Sequence, residues 1–263
     1  MKHSTKTEIG KTNTQTRYNT VVKSNELIQK SRFSLSTLQQ KILLYIISQI
    51  SPYDNEFGMY EFSVVDFCKV CGIDPQGDMY RLIKDQIKNI ADKSLWIELE
   101  DGNETLVRWI ERPYIDKKSG IIRIKLDDEM KPYLLQLKQQ FTKYDLIYTL
   151  NFKSKYSIRL YEYLKSIHFQ KFQEYQQIIP IDKFQLIMDS NYNEFKDFHT
   201  RALKPAYQEI NEYTDISFEY QPIKDGKRVT AIKVIVNTKS VEDRMNVVRD
   251  NERLLDERCG KVK

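Results

Sequence analysis

The chain has 263 residues, 40% of them hydrophobic and 30% charged, with 42 Lys and Arg against 37 Asp and Glu. That length accommodates two domains with their own cores, and no apolar run approaches the roughly 20 residues that cross a bilayer, so no membrane partner is expected. The formal net charge of +5 permits an acidic partner without demanding one, and three cysteines, an odd number, argue against a disulfide framework and for a reducing, cytoplasmic compartment.

In chain order, residues 1–21 read as a disordered polar arm, rich in Lys, Thr and Asn and without the apolar stretch of a secretory signal. Ser34 or Ser36 is positioned to cap a helix whose apolar residues Leu38, Ile42, Leu43, Tyr45, Ile46, Ile47 and Ile50 recur at helical spacing and which ends by Ser51-Pro52. Met59 to Phe62 is a short strand. Ser63 then caps a helix over Val64 to Cys71, with Gly72 where a left-handed C-cap belongs. Asp74-Pro75 marks a fresh helix start, and Met79, Ile83, Ile87 and Ile90 form the buried stripe of that third helix. Leu95–Glu100 and Thr105–Ile115 read as strands around the turn Asp101-Gly102-Asn103, followed by a strand over Ile121–Leu126 and a helix near Asp128–Leu137.

The same order then recurs. A helix over Lys153–Phe169, a strand at Gln177–Ile179, helices at Asp182–Met188 and Phe195–Tyr213, and a hairpin of Ile216–Gln221 with Val229–Val236 complete a second unit. Leu43, Ile47 and Ile50 return as Leu160, Leu164 and Ile167, and Phe67 and Val70 as Phe184 and Ile187, each at a spacing of 117. After a three-residue slip, Arg81, Ile83, Lys84 and Ile90 return as Arg201, Leu203, Lys204 and Ile210. Fixed-offset similarity of this kind indicates repeated modules. The expected fold is α+β: two tandem winged helix-turn-helix domains related by internal pseudo-duplication, at 22–140 and 141–240, with a charged tail at 241–263 that either docks as a helix or frays.

The third helix of such a unit enters the major groove. On the side opposite its buried stripe the first copy carries Tyr80, Arg81, Lys84 and Lys88, and the second carries Thr200, Arg201, Lys204 and Gln208. The wings differ in sign: Lys224, Lys227 and Arg228 surround the second turn, whereas Glu98, Glu100, Asp101 and Glu104 surround the first. The second domain is therefore expected to be the main DNA reader, and the first to combine weaker DNA contact with protein contact.

Catalytic chemistry is not expected. Cys68-Lys69-Val70-Cys71 has the spacing of a metal or redox pair, but no second ligand pair accompanies it, and the helix phase makes both core cysteines. Gly72 and Gly77 lack the Lys-Ser/Thr of a phosphate loop. His3, His168 and His199 make no His-x-His pair beside a tyrosine nucleophile, and Tyr161 and Tyr163 lie in a core-like helix. No cofactor and no metal are expected.

Three segments carry a family resemblance. Asn25-Glu26-Leu27-Ile28 with Leu35–Ile50, Tyr156-Ser157-Ile158-Arg159-Leu160-Tyr161-Glu162-Tyr163-Leu164, and Leu203-Lys204-Pro205-Ala206 with Glu209-Ile210-Asn211 resemble, in order, motifs of the iteron-binding plasmid replication initiators, over roughly Val22 to Thr238. The resemblance implies two winged-helix domains that bind repeated double-stranded origin DNA as monomers and nucleate origin opening. It also implies recruitment of the host replication initiator and replicative helicase, and self-association through the first domain into dimers that repress the protein's own gene, a form of copy-number control. Carried over by position, it implies Lys196, Thr200, Arg201 and Lys204, with Lys227 and Arg228, as DNA contacts of the second domain, while Arg159, Tyr161 and Glu162 are expected to be structural. Pro205 is expected to kink the recognition helix or start a new turn, and Asn211 to help end it. A dedicated winged-helix repressor and, more distantly, a DNA-nicking or joining initiator remain as alternatives.

Overall fold

The computed structural model describes residues 14–51, 53–116, 118–168 and 174–259. The first unit comprises β1 (Thr20–Ser24), α1 (Asn25–Lys30), β2 (Ser31–Arg32), α2 (Thr37–Ile47), β3 (Tyr60–Ser63), α3 (Val64–Cys71), α4 (Met79–Ala91), β4 (Ser94–Glu98), β5 (Glu104–Arg108), β6 (Tyr114–Ile115) and β7 (Ile121–Ile124). Then come α5 (Lys131–Leu134), β8 (Phe141–Asp145) and α6 (Ile147–Leu150). The second unit is α7 (Lys155–Ile167), β9 (Glu174–Pro180), α8 (Ile181–Ile187), α9 (Phe195–Phe198), a π-helical turn His199–Leu203, α10 (Lys204–Tyr213), β10 (Ile216–Asp225) and β11 (Arg228–Thr238), followed by α11 (Val241–Arg258).

Local chemistry sets many of these boundaries. Ser36 caps α2 in a reciprocal box with Gln39. The Ser63 hydroxyl accepts from Asp66 N at the start of α3, and Gly72 ends it in the left-handed conformation at φ 63°. Gly72 has a second, tertiary reason: a Cβ there would lie 2.9 Å from Leu255 Cα in α11.

The pseudo-duplication is visible in the helices, α2-α3-α4 matching α7-α8-α10 in order, but the sheets diverge. In the second unit β9 joins the hairpin in one antiparallel sheet, β10-β11-β9. In the first unit the hairpin β4-β5 takes β2 as its third strand, and β3 pairs instead with β7 in a sheet β3-β7-β6. The strand expected over Thr105–Ile115 accordingly breaks after Arg108, because buried Trp109 and Ile110 turn the chain into the other sheet, where Ile110 bridges Leu126.

Further expectations are corrected. α4 begins at Met79 rather than at Asp74-Pro75, whose Asp74 carboxylate instead accepts from Gln76 N in a tight turn. Within the stretch expected to be disordered, residues 14–21 are folded: β1 pairs with β8, and Arg17 is fully buried, donating to Val70 O at 3.1 Å, Lys69 O at 2.8 Å and Asp256 Oδ1 at 3.0 Å. The rest of that arm, residues 1–13, lies outside the described residues. β8, the partner of β1, spans Phe141–Asp145. The tail docks as α11, with Asn251 and Leu255 buried and Val241 and Met245 exposed.

One contiguous apolar core runs through both units, and α7 sits at their junction. Several of the charged groups buried around it are paired. Lys41 of α2 donates to Leu150 O at 2.6 Å, and burial pulls its pKa from the ordinary 10.5 down to about 8, with Cys71 opposing the shift and Arg258 adding to it. A folded value below the unfolded one means that the unfolded chain holds more protons between about 8 and 10.5, so this group makes stability rise with pH across that window. The rise is expected to be on the order of 3 kcal/mol, and urea titrations at several pH values should find it removed in Lys41→Met.

Candidate nucleic-acid interface

The second unit presents its cations on two elements that the fold brings together. Lys196, Thr200, Arg201, Lys204 and Gln208 are all exposed along α9, the π-helical turn and α10. Opposite this face Phe198, Ala202, Leu203, Ala206 and Ile210 are fully buried, which fixes the outward direction of the helix. The hairpin β10-β11 is longer than its sequence pattern suggested, ten and eleven residues, so Lys224 lies in β10 and only Gly226 and Lys227 make the turn. Strands of that length project about 30 Å at 3.3 Å per residue, and Gly226, at φ 57°, allows the tight reversal.

A cleft of about 640 Å³ lies between helix and wing, lined by Lys196 on one side and by Lys224, Lys227 and Arg228 on the other, with Asp182 and Glu194 also at its wall. Four cations from segments some 30 residues apart thus face one groove, with dimensions and charge suited to a phosphate backbone. Arg201 has only a loose contact with Asp197, 3.8 Å between two exposed side chains. Such surface contacts contribute little and yield readily to a ligand.

The motif residues around the helix are structural, and they explain its acidic members. Glu209 points inward and accepts from Lys153 N at 2.9 Å and Ser154 N at 3.3 Å, tying α10 to the start of α7. Asn211 does not end the helix, which continues to Tyr213. Its side chain instead bonds Phe218 N and O at 2.8 and 3.0 Å and so pins the wing strand to the helix. Pro205 is the second residue of α10, just past the π-helical turn, where its missing N–H is tolerated. Sequence reasoning missed His199, whose Nε2 lies 2.8 Å from Tyr220 Oη and couples the helix to β10 from 21 residues away. No local pattern signals such a contact.

In the first unit Arg81, Lys84 and Lys88 are exposed on one face of α4, with Arg81 paired to Asp78 at 2.6 Å. Tyr80 differs from the other three: at i−3 from Ile83 and i−7 from Ile87 it flanks the buried stripe of α4, half-buried against the core with its hydroxyl enclosed. The wing residues Glu98, Glu100, Asp101 and Glu104 are exposed, and Asp101 is held below the usual carboxylate range by hydrogen bonds from Asn103. The sign difference between the wings therefore reaches the surface.

The residues considered for chemistry are enclosed. Burial pushes the thiols of Cys68 and Cys71 up to about 11 and about 12, away from the thiolate a metal needs. Tyr161 is fully buried and donates to Asp215 at 2.8 Å. His168 and His199 are each bonded to a hydroxyl, and His3 lies outside the described residues. Among the described residues no group of His, Cys, Asp or Glu is arranged to hold a metal ion, and no helix is long and apolar enough to cross a membrane.

Two winged helices in tandem, each with an exposed cationic third helix, define the class to which this fold belongs. Residues 20–165 match the family model described as initiator replication protein, WH1, and residues 180–235 match that of initiator Rep protein, WH2. The chain belongs to this family of replication initiator proteins. It is 28% identical over 205 residues to a replication initiation protein of Escherichia coli, covering 74% of this chain and 63% of that protein's length. A 27.6 kDa Escherichia coli protein of uncharacterized function is 22% identical over 225 residues, covering 81% and 93%. The crystal structure of Pi initiator protein in complex with iteron DNA has a similar fold, with a TM-score of 0.69 at 19% identity, covering 85% of this chain and 99% of that one.

Proposed function

We propose that this protein is a plasmid replication initiator that binds repeated duplex sequences, iterons, at an origin and nucleates its opening without catalysis. The observation that carries the reading is the cleft joining Lys196 to Lys224, Lys227 and Arg228 on the winged-helix unit matched as WH2. It is supported by the family and by the iteron DNA bound to the Pi initiator of similar fold. Thr200, Arg201, Lys204 and Gln208 read base edges, and the wing lysines and Arg228 grip the backbone. Arg81, Lys84 and Lys88 add a weaker contact from the first unit. Gel-shift titrations on tandem origin repeats test this. Arg201→Ala is expected to cost about 1–3 kcal/mol at one base position, whereas Lys227→Ala weakens all sequences alike and lowers the salt slope by about one. Unchanged affinity in Arg201→Ala would remove the recognition-helix assignment.

The finer part of the reading is a cytoplasmic protein that also dimerises through its first unit, represses its own gene in that form, and recruits the host replication initiator and replicative helicase. Supporting self-association, β5 is an edge strand of the sheet β2-β4-β5, and the cross-strand pair Trp96 and Leu106 is exposed on its outer face. An antiparallel β5–β5 pair centred on Leu106 sets Glu104 of each copy opposite Arg108 of the other, a self-complementary register. Leu106→Asp is expected to shift sedimentation towards the monomer, and an unaltered dimer fraction would place the interface elsewhere.

A further inference from the structure

The recognition helix of the second unit carries two rows at four-residue spacing that a regular α-helix does not keep straight. Phe198, Ala202, Ala206 and Ile210 are all 0% exposed. Lys196, Thr200, Lys204 and Gln208 are all exposed. In an α-helix four residues turn about 400°, so each step of four drifts about 40° and three steps drift about 120°, a third of the way round. A row that begins in the core would end at its edge, and an outward row would swing to one side.

The π-helical turn His199–Leu203 removes that drift. Its hydrogen bonds reach back five residues, Lys204 N donating to His199 O, so the turn takes up an additional residue before α10 resumes. Pro205, in the first turn of α10, has no N–H to offer the carbonyl of Arg201, and its ring crowds that carbonyl. The wider turn relieves both. Glu212 follows Gln208 at the same spacing and, with the opposite charge, marks where the row stops.

We propose that Pro205 and the π-helical turn are a register device for specificity, holding Thr200, Lys204 and Gln208 in one straight row that meets successive base pairs, in line with Lys196 at the backbone-gripping cleft. This rests on the DNA-binding reading above. With Lys196 the row spans about 18 Å, roughly five base-pair steps. In the absence of the wider turn, Gln208 lies about a third of a turn away from Lys196 and reaches no base.

The test uses the full chain and a set of duplex origin repeats altered one base pair at a time, with relative affinities read by competition gel-shift. Gln208→Ala, an exposed position that leaves the turn intact, is expected to lose about tenfold discrimination at one base pair near one end of the subsite. Pro205→Ala is expected to lose discrimination at that same pair while keeping the pair read by Thr200. Unchanged preferences in Gln208→Ala overturn the register, and unchanged preferences in Pro205→Ala alone overturn the role given to the proline. Wild-type protein that binds no duplex repeat overturns the initiator reading itself, a result distinct from either.

Discussion

Replacing Glu162 by alanine is expected to destabilise the protein by about 3–5 kcal/mol, the range for stranding one partner of a buried ion pair. Glu162 lies on α7 with its carboxylate 2.7 Å from Lys23 Nζ of β1, and the two side chains are 4% and 7% exposed. The Tyr144 hydroxyl, from β8, donates to the same carboxylate, and burial with that charge nearby holds the phenol protonated far above its ordinary range. Alanine leaves an ammonium and a phenol enclosed with no acceptor in place of the carboxylate. Urea unfolding should show a lower midpoint with an unchanged slope. The double replacement Lys23→Met with Glu162→Leu removes both charges and is expected to lie within about 1 kcal/mol of the wild type. A loss below about 1 kcal/mol for Glu162→Ala by itself would mean that the pair is not closed in solution.

Arg159→Ala is the second large effect, expected at about 3 kcal/mol from two charge-assisted hydrogen bonds and a cation–π contact. The buried guanidinium donates to Ile187 O at the end of α8 and to Ser31 O in β2, each at 3.0 Å, and sits 4.1 Å above the Phe33 ring. It therefore joins the second unit's helix-turn-helix to the first unit's hairpin sheet. Burial lowers its pKa, yet arginine keeps its charge at any working pH. Arg159→Lys is expected to restore little, because a single ammonium does not span two divergent carbonyls as the planar fork does. Thermal unfolding measures the loss. Full recovery in the lysine variant would show that charge, rather than fork geometry, holds the two units together.

Both residues belong to the motif Tyr156–Leu164, and their roles explain why it carries charged groups at buried positions: each pairs with a group on another element, so α7 fastens both units. The motif at Leu203–Asn211 works similarly. Leu203, Ala206 and Ile210 fill the core, while Glu209 and Asn211 fasten the helix to α7 and to the wing. The outward residues between them are exposed. That separation was legible from periodicity for Arg201, Lys204 and Gln208. Tyr80, three residues before Ile83 and seven before Ile87, falls by the same periodicity beside the buried stripe of α4 rather than opposite it.

Determined by the chain locally were the features whose causes lie within about four residues. These are the Ser63 and Gly72 limits of α3, the Ser36 capping box of α2, the buried faces of the third helices and the opposite signs of the two wings. Caps, turns and helix phase are short-range chemistry, so one sequence suffices to read them. Tertiary structure decided the rest: that β3 pairs with β7 while β9 pairs with β11, that Arg17 is locked between α3 and Asp256, and that Lys196 shares a groove with Lys227. Strand partners, buried cations and clefts depend on which distant surfaces arrive together. Their free energies come from desolvation and pairing across the fold, which no window of neighbouring residues records.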